Sequence, residues 1–378
     1  MSAFDLNTAQ QDLVRHVREL ATAELLALAE AGRHGHVNRD LVVAMGKHGL
    51  LARLFGGDRP TRTAAAMDLC LMRETLAGVS TEAETALALQ GLGSYPFLLF
   101  GRDEIVARWR PEVVSGRAIA AFALSEPDAG SDAGALTLRA DADGDGWRLN
   151  GLKTWISNAP EADLYTVFAR TTPEARARGV TAFVVPGDSS GLSGVHLDMM
   201  SPHPIGELAL DGVRVGPANV LGEVDQGFKV AMRTLDLFRP SVGAFAIGMA
   251  QTALNAAIEH TTGRRAYGGV LSDLQAVSHK LADMAVRLEA SRLLVYAAAS
   301  AYDTGADPVE ITRRSAMAKL DATETAQFVV DSAVQLVGAR ALQRGHVLEH
   351  LYREVRAPRI YEGASEVQRT IIGRSLTR

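Results

Sequence analysis

The chain has 378 residues, 47 % hydrophobic and 22 % charged, with a formal net charge of −5. That length predicts two or three packed domains, the balanced usage excludes a disordered chain, and the acidic balance argues against a nucleic-acid partner. One cysteine, Cys70, excludes an intrachain disulfide; with a mostly polar Met1–Gln10 lacking a signal-peptide pattern and no apolar run near the ~20 residues that span a bilayer, the expectation is a soluble cytoplasmic protein with no membrane partner.

In chain order the elements predict an α+β multi-domain protein. Residues 1–118 read as an N-terminal helical domain: Leu13, Val14, Val17 and Leu20 recur at helical spacing, and an apolar run from Ala83 to Phe100 is broken by Gly91, Gly93 and Pro96. Gly56, Gly57 and Pro60 punctuate it. Residues 119–225 read as a central β-sandwich or barrel domain. Ile119–Leu124, Leu164–Ala169, Val180–Val185 and Leu208–Val215 are strand-like, separated by Gly, Asp and Pro clusters. Residues 226–378 read as a C-terminal four-helix bundle, because Val242–Thr262, Asp273–Tyr302 and Val309–Val337 are helically periodic and free of internal proline.

Several strings imitate chemistry. Asp141-Ala-Asp143-Gly-Asp145-Gly146 begins like a calcium loop, but its twelfth position is Leu152, so a hairpin turn is expected. His346 and His350 could share a helix face around zinc, but no third ligand is near in sequence, and Glu349 with Arg353 makes an ordinary i,i+4 pair. Gly187-Asp-Ser189-Ser-Gly191 lacks the helix a nucleophile elbow needs. His34 and His36 flank a glycine in a polar loop and read as surface residues. No metal site is expected, and no dinucleotide or P-loop signature is present. Cys70 reads as buried filler.

Three distant segments carry the functional reading: Ala121-Phe-Ala-Leu-Ser-Glu-Pro-Asp-Ala-Gly-Ser-Asp132, Leu149-Asn-Gly-Leu-Lys-Thr-Trp-Ile-Ser-Asn158 and Arg359-Ile-Tyr-Glu-Gly-Ala-Ser-Glu-Val-Gln368. In the first, Gly130 lets a backbone approach a ligand closely. In the second, Trp155 and Ser157 are two apart and project from one strand face. In the third, Glu362 precedes a glycine, and an apolar pocket would raise its pKa. Taken singly, each also suits a plain turn, a core tryptophan or a charge between helices.

In this order the segments resemble the acyl-CoA dehydrogenase family over nearly the whole chain. The resemblance implies FAD as cofactor and Glu362 as the catalytic base. It places Phe122, Leu124 and Ser125 at the isoalloxazine, with Gly130 at the close approach and Ser131 by the flavin phosphate and the substrate. Trp155 packs beside the flavin, and Ser157 bonds its N5. Around Gly263–Gly268 it places Arg264, on a neighbouring subunit's pyrophosphate, and Tyr267. Gln275 reaches the adenosine half, and Gln335 and Gly338 form a loop against the neighbour's flavin. Ala364 and Glu366 fall on the cofactor side. Asp236, Arg239, Tyr361 and Gly363 fall on the substrate side. The implied partners are acyl-CoA or an acyl-carrier protein, an electron-transfer flavoprotein and further copies of this chain, as a dimer or a dimer of dimers.

The chain departs from the family pattern in places. Gly338-Ala339-Arg340-Ala341 stands where two glycines and a small residue are usual, the Phe55–Pro60 loop is short, and the stretch between Leu197 and Leu208 is trimmed. Ala88 leaves room at the expected pocket floor. Phe238 occupies the region where some relatives carry their base, which leaves Glu362. Rival readings are a flavin oxidase or monooxygenase on the same fold, a carrier-protein-linked dehydrogenase, and a non-catalytic scaffold. The last is disfavoured by Glu362, Trp155 and Ser125.

Overall fold

The structure, a computed structural model, describes residues 6–56 and 65–377; the part of the expected short loop at Gly57–Pro60 lies outside them. The fold is α+β, with an N-terminal helical domain, a middle β-sheet domain and a C-terminal helical domain. The N-terminal helices are α1 (Thr8–Leu20), α2 (Leu26–Glu30), α3 (Arg39–Lys47), α4 (Leu50–Leu54), α5 (Ala66–Ala77), α6 (Thr81–Phe100) and α7 (Asp103–Val114). The C-terminal ones are α8 (Gly227–Gly263), α9 (Gln275–Asp303), α10 (Pro308–Val337), α11 (Val347–Glu354) and α12 (Ser365–Leu376). By contacts the chain forms two compact units: a helical one, Met1–Thr22, Ala65–Glu84 and Asp236–Arg378, and a sheet-containing one, Ala23–Ala64 and Thr85–Leu235.

In the helical unit, α1 begins in a capping box between Asn7 and Gln10 and buries Leu13, Val17 and Leu20. It packs on α5, and α10 packs against α9, α11 and α12. The helix expected from Val242 starts earlier, at Gly227, and runs through Pro240. Proline has no N–H for the carbonyl four residues back. That carbonyl, Asp236 O, instead accepts from the Ser315 hydroxyl of α10 at 2.8 Å. By length and composition α8 could cross a membrane, yet 72 % of its most apolar window is buried inside the protein.

In the other unit the strands are β1 (Ala120–Ala123), β2 (Arg139–Asp143), β3 (Gly146–Ser157), β4 (Leu164–Arg170), β5 (Val180–Pro186), β6 (Leu192–His196), β7 (Ile205–Val215) and β8 (Val220–Leu221). They form one connected sheet, ordered β6-β7-β3-β2-β4-β5-β8, with β1 parallel to β4. Two antiparallel ladders are joined between β2 and β4 at the single pair Arg139 and Arg170. β4 and β5 are buried along nearly their whole length, as their Val, Tyr and Phe content requires. The Asp141–Gly146 string is the β2–β3 hairpin, with Gly144 at φ 64°. Gly187–Gly191 leads into strand β6, not a helix.

Candidate active site

Glu362 sits between a short 3-10 turn (Ala357–Arg359) and α12, with φ 50°. Seven non-glycine residues among those described have positive φ, and three of them, Trp155, Tyr267 and Glu362, are residues the sequence singled out. Such strain persists only where the surroundings impose it. Here they do. Arg239 Nε donates to Glu362 O (3.4 Å), Lys319 Nζ to Gly363 O (2.7 Å), and Gln368 Nε2 to both carbonyls (3.2 and 2.8 Å). Gly363 has φ 92°, and a Cβ there would meet Gln368 Nε2 at 2.4 Å, so only glycine fits.

The residue as a whole is half-buried, but its carboxylate points inward: Oε2 is buried and has no hydrogen-bond partner. The N–H of Glu362 also has no acceptor among the described residues. Burial raises the Glu362 pKa, and the charges of Arg73, Lys319 and Arg239 oppose the rise. The pocket is therefore not simply apolar, as the sequence reading had it. Burial outweighs the three cations, whose hydrogen bonds go elsewhere. Arg73 ion-pairs with Glu84 and donates to Ser241 Oγ at 2.7 Å. Lys319, with burial pushing it down to about 8, serves the Gly363 carbonyl. Arg239 also bonds Asp236 at 3.1 Å.

Asp236 takes a second bond from Thr312 (2.7 Å), and burial raises its pKa. Tyr361 is pushed up by burial, then by Glu84. Phe238 is fully buried. Ala364 is the N-cap of α12, and Glu366 is exposed in its first turn. Sequence reasoning missed Arg73, Glu84 and Lys319. The available signal was a charge inside an apolar helical run, as in Leu69-Cys-Leu-Met-Arg73.

In the sheet-containing unit the first two motifs are tied by an ion pair. Lys153 is fully buried and donates to Glu126 Oε1 (2.8 Å) and Leu124 O (3.0 Å). Glu126 also accepts from Thr137 N, Thr137 Oγ1 and Leu138 N. Burial would raise its pKa, but Lys153 and these bonds hold it down. The pairing of β3 with β7 shifts register between Lys153 and Ile156, and Trp155 sits in the shift at φ 59°. The strand is irregular there, yet Trp155 is exposed, Ile156 buried and Ser157 half-buried, the alternation expected of the two. A bulge re-aims the tryptophan, leaving it 55 % exposed.

Ser157 Oγ lies 2.9 Å from His203 Nε2 of the β6–β7 connection, a partner the sequence did not reveal. Burial pushes His203 down to about 4, so it is neutral. The Phe122 ring packs on Phe168, 4.9 Å between centroids. The Ser125 carbonyl accepts from Thr154 N. Ser131 is exposed, and a Cβ on Gly130 would meet nothing within 4 Å, so the protein's own packing does not require glycine there.

The remaining expected contacts lie on the surface of the helical unit. Arg264 closes α8, Tyr267 caps the small hairpin of β9 (Arg265–Ala266) and β10 (Gly269–Val270) and is 91 % exposed, and Gln275, Gln335 and Gly338 are exposed. The His260 pKa is lowered by burial, then by Arg340, Arg264 and His346, so Arg264 and the atypical Arg340 share one positive patch. His346 caps α11 by accepting from Leu348 N, and His350 lies against Thr81.

Comparison with known proteins matches the models of the acyl-CoA dehydrogenase N-terminal domain to residues 7–117, of its middle domain to 121–213 and of its C-terminal domain to 225–377. The probable acyl-CoA dehydrogenase fadE25 of Mycobacterium leprae is 35 % identical over 99 % of this chain and 97 % of its own. The human mitochondrial short-chain specific acyl-CoA dehydrogenase is 37 % identical over 100 % of this chain and 92 % of its own. The butyryl-CoA dehydrogenase structure of Megasphaera elsdenii superposes with TM-score 0.92 and 32 % identity, covering 99 % of this chain and 100 % of that one. The chain belongs to the acyl-CoA dehydrogenase family. It is an oxidoreductase acting on CH–CH bonds, with FAD as cofactor.

Proposed function

We propose that this chain oxidises a short acyl-CoA to its trans-2-enoyl thioester, with Glu362 taking the α-proton as the β-hydrogen departs as hydride. The observation that carries this reading is the Glu362 carboxylate, held inward on a strained backbone with Oε2 lacking a partner. Its raised pKa suits proton removal from carbon. The unpaired Glu362 N–H is available to the thioester carbonyl, where it would stabilise the developing enolate. Bound FAD supplies the acceptor for the hydride at N5.

The residues present fit such a group. Trp155 offers an open indole face, and Gly130 and Ser131 have N–H groups with no acceptor among the described residues. Phe122, Leu124, Ser125 and Ser157 are the further candidates on this unit to hold the cofactor. Arg264 and Arg340 form a cationic patch suited to a pyrophosphate. With the exposed Tyr267, Gln275, Gln335 and Gly338, that patch supports assembly with further copies of this chain. Ala364 and Glu366 stay candidates for the cofactor side, and Asp236, Arg239, Tyr361 and Gly363 for the substrate side. An electron-transfer flavoprotein is the proposed acceptor and the cytoplasm the proposed compartment.

The human and Megasphaera relatives, named for short-chain and butyryl substrates, support a short acyl group. The test is anaerobic bleaching of the FAD-loaded protein by straight-chain acyl-CoAs of increasing length. Fastest bleaching by the four-carbon member, lost in Glu362→Gln, is expected. Near wild-type bleaching of Glu362→Gln would refute the base, and a preference for long chains would refute the substrate class.

A further inference from the structure

We propose that His36, Glu161 and His196 form a surface site for one divalent transition-metal ion of the zinc class, outside the catalytic machinery. They are brought together from three places in the sheet-containing unit: the connection between α2 and α3, the turn after β3, and the end of edge strand β6. His36 Nδ1 lies 3.1 Å from Glu161 Oε1. The two imidazole rings are 4.1 Å apart between centroids and tilted by 50°. One donor atom from each residue lies within 4.8 Å of the others.

Three zinc ligands at bond lengths near 2.0–2.1 Å stand about 3.3 Å apart in a tetrahedron. Small torsional changes close that gap, and the exposed His196 ring, which packs on His36 but has no side-chain hydrogen bond among the described residues, can make them. The carboxylate is already placed. Glu161 Oε2 accepts the Val37 N–H at 2.7 Å, and Arg39 donates to the Glu161 carbonyl and to Asp163, both at 2.7 Å. These contacts hold one carboxylate oxygen toward His36, the kind of outer support that orients metal ligands.

Two imidazoles and one carboxylate select a borderline transition metal over magnesium or calcium, which prefer all-oxygen sites. Open positions would face water, since His196 is exposed and the other two are only half-buried. An ion here would staple the 31–38 connection to the rim of the sheet. Because it binds the folded chain alone, it would raise thermal stability with concentration.

The test uses untagged, FAD-loaded protein stripped by chelator and titrated calorimetrically with zinc chloride at neutral pH. One saturable site per chain in the micromolar range is expected, with a raised melting temperature and no competition from equal magnesium. His196→Ala and Glu161→Gln should each weaken binding at least tenfold while acyl-CoA turnover stays at the wild-type level. Flavin absorbance and metal-free melting verify that each variant folds, and His196→Asn repeats the test on the exposed ring should either fail. No saturable binding, or equal affinity in wild type and variants, would overturn the site.

Discussion

Glu126 of the sheet-containing unit and Glu362 of the helical unit are both carboxylates set among buried cations, and their oxygens are treated in opposite ways. Glu126 accepts from Lys153, from Thr137 twice and from Leu138, so both oxygens are taken and its pKa is held down. Glu362 has three cations acting on it, but their hydrogen bonds go to Glu84, Ser241, Asp236 and the carbonyls of its own turn. A saturated carboxylate is a strut with little basicity left. An unsaturated one in a compensating field keeps basicity for a substrate. The contrast separates what holds the motifs in place from what reacts.

Variants can break this contrast. The largest expected effect is from Lys153→Met, which strands the Glu126 charge and should cost about 3–5 kcal/mol of stability in denaturant titration. Next come two isosteric changes with opposite signs. Glu126→Gln loses charge-assisted bonds and should cost about 1–3 kcal/mol. Glu362→Gln removes an unpaired buried charge and should melt at or above the wild-type temperature. Equal losses from the two would mean Glu362 is a strut as well.

A smaller effect is expected from Lys319→Met. Removing a charge that lowers the Glu362 pKa should move the acid limb of the flavin-reduction rate to higher pH. An unmoved limb would show that Lys319 only pins the Gly363 carbonyl. The smallest effects are in the pH dependence of melting. Burial, then Glu82, pushes Glu354 of the helical unit up to about 8, from 4.5 when unfolded. Its contribution is present below pH 4.5 and lost as pH rises through about 8, so Glu354→Gln should raise melting by a few degrees at pH 8.5 and little at pH 5. His203 of the other unit moves oppositely, from 6.5 down to about 4. Its contribution is present above pH 6.5 and lost as pH falls through about 4, so His203→Asn should flatten the acid side of the melting profile.

Local patterns made much of this legible. Helical periodicity located α9 and α10, the Asp/Gly string located the β2–β3 hairpin, and the Tyr361-Glu362-Gly363 triplet stood out against Phe238. What stayed hidden was long-range pairing. Arg73 meets Ser241 across 168 positions and Ser157 meets His203 across 46, and no spacing rule spans such gaps. The helix was expected only from Val242, past Pro240, because the bond that Pro240 cannot make is compensated by Ser315 on another helix. The register shift beside Trp155 was not legible, because it interrupts the period of two that alternation reads. His36 read as surface decoration, since Glu161 and His196 join it only through the fold.

The most direct test of Glu362 as base is exchange at the substrate α-carbon. FAD-loaded protein is incubated anaerobically in deuterium oxide with a short acyl-CoA, and loss of the α-proton signal is followed by NMR. Wild type should wash the α-proton out, and Glu362→Gln, with flavin content unchanged, should slow this by about 10³-fold, the scale of a lost general base. Wash-out by Glu362→Gln at the wild-type rate would contradict the account.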